Sequence, residues 1–213
     1  MKKGIPENHL HVIYNGLPKE NFKLIREDIV QTLREKFNIK KGDVVVGCVS
    51  RKKKQYQLLQ ALKNIDSSVK VIFAGIPPGT LDENIEEEKV QQEIIYAGIL
   101  DKVEIMNLYK LFDVMVLPST TEGFGLVLVE AMGAGTPVIG TRAEGIIDVL
   151  DNEKNGLWFD DENIDELAEK INLVLYDKDL RNRLIQNGKK AAFERFSIEN
   201  TILNYEIFFQ SLL

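Results

Sequence analysis

The sequence predicts an α/β fold, a parallel sheet with helices packed on both of its faces. Two observations point there. Short runs rich in β-branched residues alternate with longer helical patterns, the spacing of strand–helix–strand units. The short runs are apolar almost throughout rather than alternately, as strands buried on both faces must be.

Taken in order, residues 43–50 (DVVVGCVS) read as a buried strand and residues 69–75 (VKVIFAG) as a second. Further strands are expected at 103–106, 113–117 (DVMVL) and 137–140, with helices over 56–62, 82–97 and 125–132. Residues 76–80 (IPPGT) form a turn, and the charge run at 82–89 belongs on a solvated helix face. Beyond 156–159 (GLWF) the chain turns helical. Residues 165–176 carry Leu167, Ile171, Val174 and Leu175 on one stripe, and 177–196 form a second helix. Ser197 caps a last helix; Asn200, three residues on, stops short of the capping-box pattern.

At 213 residues the chain suits one domain. Its 44% hydrophobic and 28% charged composition is ample for a core and ordinary for a soluble protein. No stretch approaches the roughly 18 consecutive apolar residues of a membrane span, and the opening MKKGIP has no apolar run for a signal peptide. Cys48, the single cysteine, sits in an apolar run and reads as a small core residue. Together these indicate the cytoplasm. A net charge of -6 argues against a nucleic-acid partner, whose footprint is basic. The two histidines, His9 and His11, have no clustered carboxylates, so no metal site is expected. No Ser-His-Asp or Cys-His set supports nucleophilic hydrolysis.

The most informative stretch is 118–138, PSTTEGFGLVLVEAMGAGTPV. As a helix its second half is apolar all round, hence buried, yet it carries Glu130. A buried carboxylate costs several kcal/mol unless something hydrogen-bonds it, and no Arg or Lys lies within the run. Its partner must be a ligand or a distant residue, for which Arg142 is one candidate. Directly before the helix stands Glu122-Gly123-Phe124-Gly125, a second carboxylate followed by a glycine-lined turn.

This run resembles the donor-site signature of retaining glycosyltransferases of family 4 (glycosyl transferases group 1), which have the GT-B fold. NGLWFDDENIDELAEKINLVLYD and KKAAFERFSIENTILNYEIFF are similar to the segments downstream of that signature in the family, and HVIYNGLPKENF to the linker into the C-terminal half. The resemblance covers about His11 to Phe209. It implies a Rossmann-like three-layer α/β/α domain, the C-terminal half of a GT-B fold. Residues 1–18 would then be an incoming linker, 19–196 the nucleotide-sugar-binding domain and 197–213 a C-terminal crossover helix. An N-terminal acceptor domain would be missing.

The implied activity is transfer of a sugar from a nucleotide diphosphate donor (a UDP-, GDP- or ADP-sugar) to an acceptor hydroxyl, hexosyltransferase-like, in carbohydrate biosynthesis. No cofactor or metal is implied, and this domain alone should turn over little. A full enzyme of this kind could associate peripherally with a membrane. Two alternatives stay open: another GT-B class, such as a nucleotide-sugar epimerase or a phosphorylase-like enzyme, or a non-catalytic half docking on a separate partner chain.

The resemblance also implies roles. Glu122 would accept hydrogen bonds from the donor sugar while the N–H groups of Gly123, Phe124 and Gly125 contact it. Glu130 would hold the ribose diol. Residues 50–55 (SRKKKQ) put four cations just past a strand, where ligands of open parallel sheets bind. By alignment Arg51 and Lys54 would stabilise the leaving diphosphate, with Lys52 and Lys53 as spare charge; Gln55 replaces the family's glycine. In residues 141–148 only Gly145 matches the family's third loop, and Glu144 would repel phosphate. Ile105 and Met106 are the candidates to flank the nucleobase, with core packing the competing reading.

Overall fold

A computed structural model of the chain describes residues 9–66, 68–79 and 92–212. Among these described residues, six strands form one parallel sheet in the order β3-β2-β1-β4-β5-β6. They are β1 (Val44–Val49), β2 (Val69–Ala74), β3 (Glu93–Gly98), β4 (Val114–Leu117), β5 (Val138–Thr141) and β6 (Leu157–Phe159). The helices are α1 (Glu27–Lys36), α2 (Gln55–Ala61), α3 (Lys102–Leu108), α4 (Leu126–Ala134), α5 (Ile146–Val149), α6 (Ile164–Tyr176), α7 (Lys178–Lys190) and α8 (Ile198–Gln210).

Strand residues alternate between two cores. Val45 and Val49 of β1, with Met115 and Leu117 of β4, face α1, α3, α4 and α5. Val46 and Cys48, with Val114 and Val116, face α2, α6 and α7. The expected two-sided burial therefore holds, and Cys48 is core, its thiol pushed up to about 12 by burial.

Two expectations fail. Residues 103–106 are not a strand; they lie in α3, whose start is set by Asp101. Its carboxylate accepts from Glu104 N at 2.8 Å while Glu104 accepts back from Asp101 N at 3.2 Å, a full capping box. The strand lies instead at Glu93–Gly98, inside the stretch read as the 82–97 helix; residues 82–91 fall outside the described residues. As the edge strand, β3 is only partly buried, so the apolar run that marks the central strands is diluted. Also unforeseen are α1, β6, and the π turn Ala191–Arg195 that ends the expected 177–196 helix early.

Ser197 caps α8 as expected, accepting from Asn200 N at 3.2 Å, and the Asn200 side chain bonds Arg195 O instead of closing a box. Leu17 pairs with Ser197, and a Cβ on Gly16 would come within 2.2 Å of Ser197 O, so only glycine permits this approach.

Candidate functional site

Strand order reverses between β1 and β4: the chain winds outward through β2 and β3 on one side and through β5 and β6 on the other. Loops leaving two such neighbours part to opposite faces and open a crevice at their carboxyl ends. Both loops singled out from the sequence, 50–54 after β1 and 118–125 after β4, lie there. Lys54 N donates to Pro118 O at 3.1 Å, and Lys53 Nζ donates to Thr121 O at 2.5 Å.

The turn before α4 is built by its glycines and its aromatic. Gly125 is the N-cap at φ +82°, a left-handed conformation costly for other residues. A Cβ on Gly123 would meet nothing within 4 Å, so this backbone is open to approach. Phe124 packs on Phe196 and Tyr14, with ring centroids 5.6 and 5.7 Å away, and so pins the turn from behind. From β5, Gly145 (φ +78°) presses on the same turn: a Cβ there would sit 2.4 Å from Glu122 O. Glu144 is exposed.

The basic loop is divided between two tasks. Lys53, not Lys54, stands beside Glu122, with Nζ 3.4 Å from Oε1. Lys54 points to the loop after β6, contacting Asp161 Oδ2 at 2.6 Å and Glu162 Oε1 at 2.8 Å. Its hydrogen bonds to Asp161 first and Glu162 second raise its pKa. Lys54 hydrogen bonding holds Glu162 below the usual carboxylate range; for Asp161, burial pulls upward but the bonds from Lys54 and Gln57 outweigh it. Tyr56 also donates to Glu162, whose φ of 64° is unusual for a non-glycine. Arg51 and Lys52 are exposed and, among the described residues, make no ion pair.

Glu130 is buried, 8% exposed, on the all-apolar α4. Its partners are Lys102, whose Nζ donates to Oε1, and Tyr109, whose hydroxyl donates to Oε2 at 2.8 Å. Arg142 is not a partner; it lies 3.6 Å from Asp160 and over the Trp158 ring. Burial, reinforced by the Glu130 charge, pushes the Tyr109 pKa well above its ordinary value, so the phenol remains a donor.

Met106 is fully buried and Ile105 packs, partly buried, against the same core, both on α3. The residues at the carboxyl end of β3 are Gly98, Ile99 and Leu100, and Ile99 is 91% exposed. Sequence reasoning missed Lys102, Tyr109 and this turn. The capping box at Asp101 was the available signal, since it ends the preceding loop at residue 100. Among the described residues, no group of three or more His, Cys, Asp or Glu could hold a metal ion, and no helix is long and apolar enough to cross a membrane. A depression of about 320 Å³ lined by Asp151, Lys154, Asn187, Lys190, Glu194 and Arg195 shares no residue with this site.

The sheet order and the placement of these loops at the reversal make this a Rossmann-like α/β/α fold. The chain belongs to the glycosyl transferases group 1, whose family model matches residues 30–191. Among curated proteins it is 31% identical to an uncharacterised glycosyltransferase, MJ1607, of Methanocaldococcus jannaschii, over 92% of this chain and 52% of that protein. It thus spans about half the length of the curated relatives it matches. Among solved structures, Anabaena Alr3699/HepE in complex with UDP-glucose superposes with a TM-score of 0.79 at 26% identity, over 94% of this chain and 57% of that one. The C-terminal domain of a glycosyl transferase group 1 family protein (LpcC) from Francisella tularensis gives 0.69 at 27% identity, over 86% of this chain and all of that one.

Proposed function

We propose that this chain is the donor-binding half of a retaining family 4 glycosyltransferase, taking a nucleoside diphosphate sugar and, together with an N-terminal acceptor domain, passing the sugar to an acceptor hydroxyl. The observation that carries it is the placement of Glu122 and Glu130. The first stands at the entrance of α4 in the crevice, and the second is buried further along the same helix, its carboxylate anchored on both oxygens.

In this reading Glu130 holds the ribose, because a vicinal diol presents two donors to one carboxylate. The nucleobase lies toward the Gly98–Leu100 turn, the loop that leads into Lys102. Arg51 and Lys53 face the diphosphate and stabilise the charge that develops as it leaves; Lys54 holds the loop after β6. The open backbone at Gly123 and the turn through Gly125 meet the sugar, and Glu122 accepts from its hydroxyls. Lys53 shields Glu122 from the diphosphate's like charge. That UDP-glucose is bound in the Anabaena structure supports this class of ligand. As an isolated domain the chain binds donor weakly and turns over little.

Calorimetric titration with UDP, GDP and ADP, and with the corresponding sugars, tests the reading. Binding of one diphosphate, weakened on Glu130→Gln in a variant that stays folded, is expected. A domain that ignores all three is not a donor-binding half.

A further inference from the structure

Lys102 is out of place as a helix residue. It is the first residue of α3, where the helix's positive end disfavours a cation. Its side chain is 45% exposed and crosses to Glu130, whose side chain is 11% exposed. The other carboxylate oxygen is closed off by Tyr109, itself fully buried and braced by Thr136, whose hydroxyl donates to Tyr109 O at 2.6 Å. The two oxygens of Glu130 therefore differ in kind. Oε2 is fixed from the core side, and Oε1 is the one reached by a side chain that solvent also reaches.

We propose that Lys102 is an internal competitor for the ribose site: its ammonium occupies Glu130 Oε1 and must swing off before a ribose diol can bind, while Tyr109 keeps the carboxylate aimed at that position. This rests on the reading of Glu130 as the ribose ligand. Its physical basis is an asymmetry in cost. Removing Tyr109 would leave a buried carboxylate oxygen unpaired, whereas the ammonium can trade its carboxylate for water because nearly half of its side chain is already in solvent. The swap makes donor affinity a difference between two occupants of one carboxylate. It also keeps Glu130 neutralised between turnovers.

The test is a double-mutant cycle on the 213-residue chain at pH 8, titrated with whichever of UDP, GDP and ADP binds the unaltered chain most tightly. Lys102→Met keeps the aliphatic stem and removes the ammonium. It should tighten binding about two- to fivefold, the scale of a partly exposed ion pair, while lowering the apo melting temperature. In a Glu130→Gln background the same substitution should leave affinity unchanged, because Lys102 acts only through Glu130.

Lys102→Gln, which keeps a neutral donor, should fall between Lys and Met. Amine labelling supplies a readout that does not depend on a variant folding: bound nucleotide should raise labelling of Lys102 as the ammonium leaves its carboxylate. Weaker binding by Lys102→Met, or nucleotide protecting Lys102, would make the lysine a direct ligand contact and overturn the proposal. Should Glu130→Gln bind normally, the ribose assignment itself fails, an outcome distinct from Lys102→Met failing while Glu130→Gln loses affinity.

Discussion

At the scale of single residues, Glu130 was legible because burial and charge conflict, and Glu122 because it stands directly before a glycine-lined turn. A carboxylate in an apolar helix demands a partner, and Glu130 has two. The partners themselves could not be read, since Tyr109 and Lys102 lie 21 and 28 positions away with no periodic spacing to α4. The basic loop shows the reverse case. Four adjacent cations mark a candidate site, yet which of them faces it depends on side-chain direction, and the structure aims Lys53 rather than Lys54 at Glu122. Lys53→Met is therefore expected to weaken nucleoside diphosphate binding more than nucleoside binding, with an effect that shrinks as salt rises. Lys54→Met should leave that ratio unchanged. Paired titrations with UDP and uridine decide it, and the opposite ranking would restore Lys54 as the phosphate contact. Gly145→Ala forces a Cβ against Glu122 O and a side chain into left-handed backbone, so at least about 1 kcal/mol of stability should be lost. Thermal melting checks this, and an unchanged melting temperature would mean that the loop yields freely.

At the scale of elements, the central strands were visible and the edge was not. β1, β2 and β4 are apolar on both faces, and sequence marks them well. β3 is half exposed and comes after a charged stretch, so helical pattern won; the apolar run at 103–106 belongs to a helix begun by a capping box. The loop after β6 is held by Lys54 with Asp161 and Glu162, and this has a pH signature. Both carboxylates have lowered pKa values, so their contribution is present above about pH 4, the unfolded value, and is lost as pH falls through the folded values. Lys54 is raised, so its contribution is complete below its ordinary value of about 10.5 and fades only above it. Lys54→Met should lower the melting temperature by about 1–4 °C near neutral pH, in keeping with a half-exposed pair. The deficit should shrink as pH falls below about 4, through the lowered values of the two carboxylates. A deficit that persists there would assign the effect to lost packing instead.

At the scale of the whole molecule, the last helix is anchored at its start and bare along its outer side. Thr201 is buried and bonds Tyr14 O at 2.9 Å, and Phe208 packs on His11 at 4.5 Å. Yet Ile202, Leu203, Tyr205, Ile207, Phe209 and Leu212 all remain exposed. A well-formed helix with uncovered apolar side chains fits a partner surface, and its only charges, Glu199 and Glu206, disfavour an anionic membrane. The chain should self-associate at high concentration, and Ile202→Glu with Phe209→Glu should disperse it. Light scattering that finds the unaltered chain monomeric throughout would show that this face needs no cover.

The central claim, that Glu130 grips the ribose of a nucleotide-sugar donor, is tested most directly by one titration. UDP, GDP and ADP are titrated into the unaltered chain and into Glu130→Gln, with folding checked by melting. One diphosphate should bind, and the substitution should weaken it by about 1–3 kcal/mol, the worth of a charged hydrogen bond, while the domain stays folded. A folded Glu130→Gln domain that binds the same nucleotide undiminished would contradict the assignment and leave Glu130 as a structural carboxylate held by Lys102 and Tyr109.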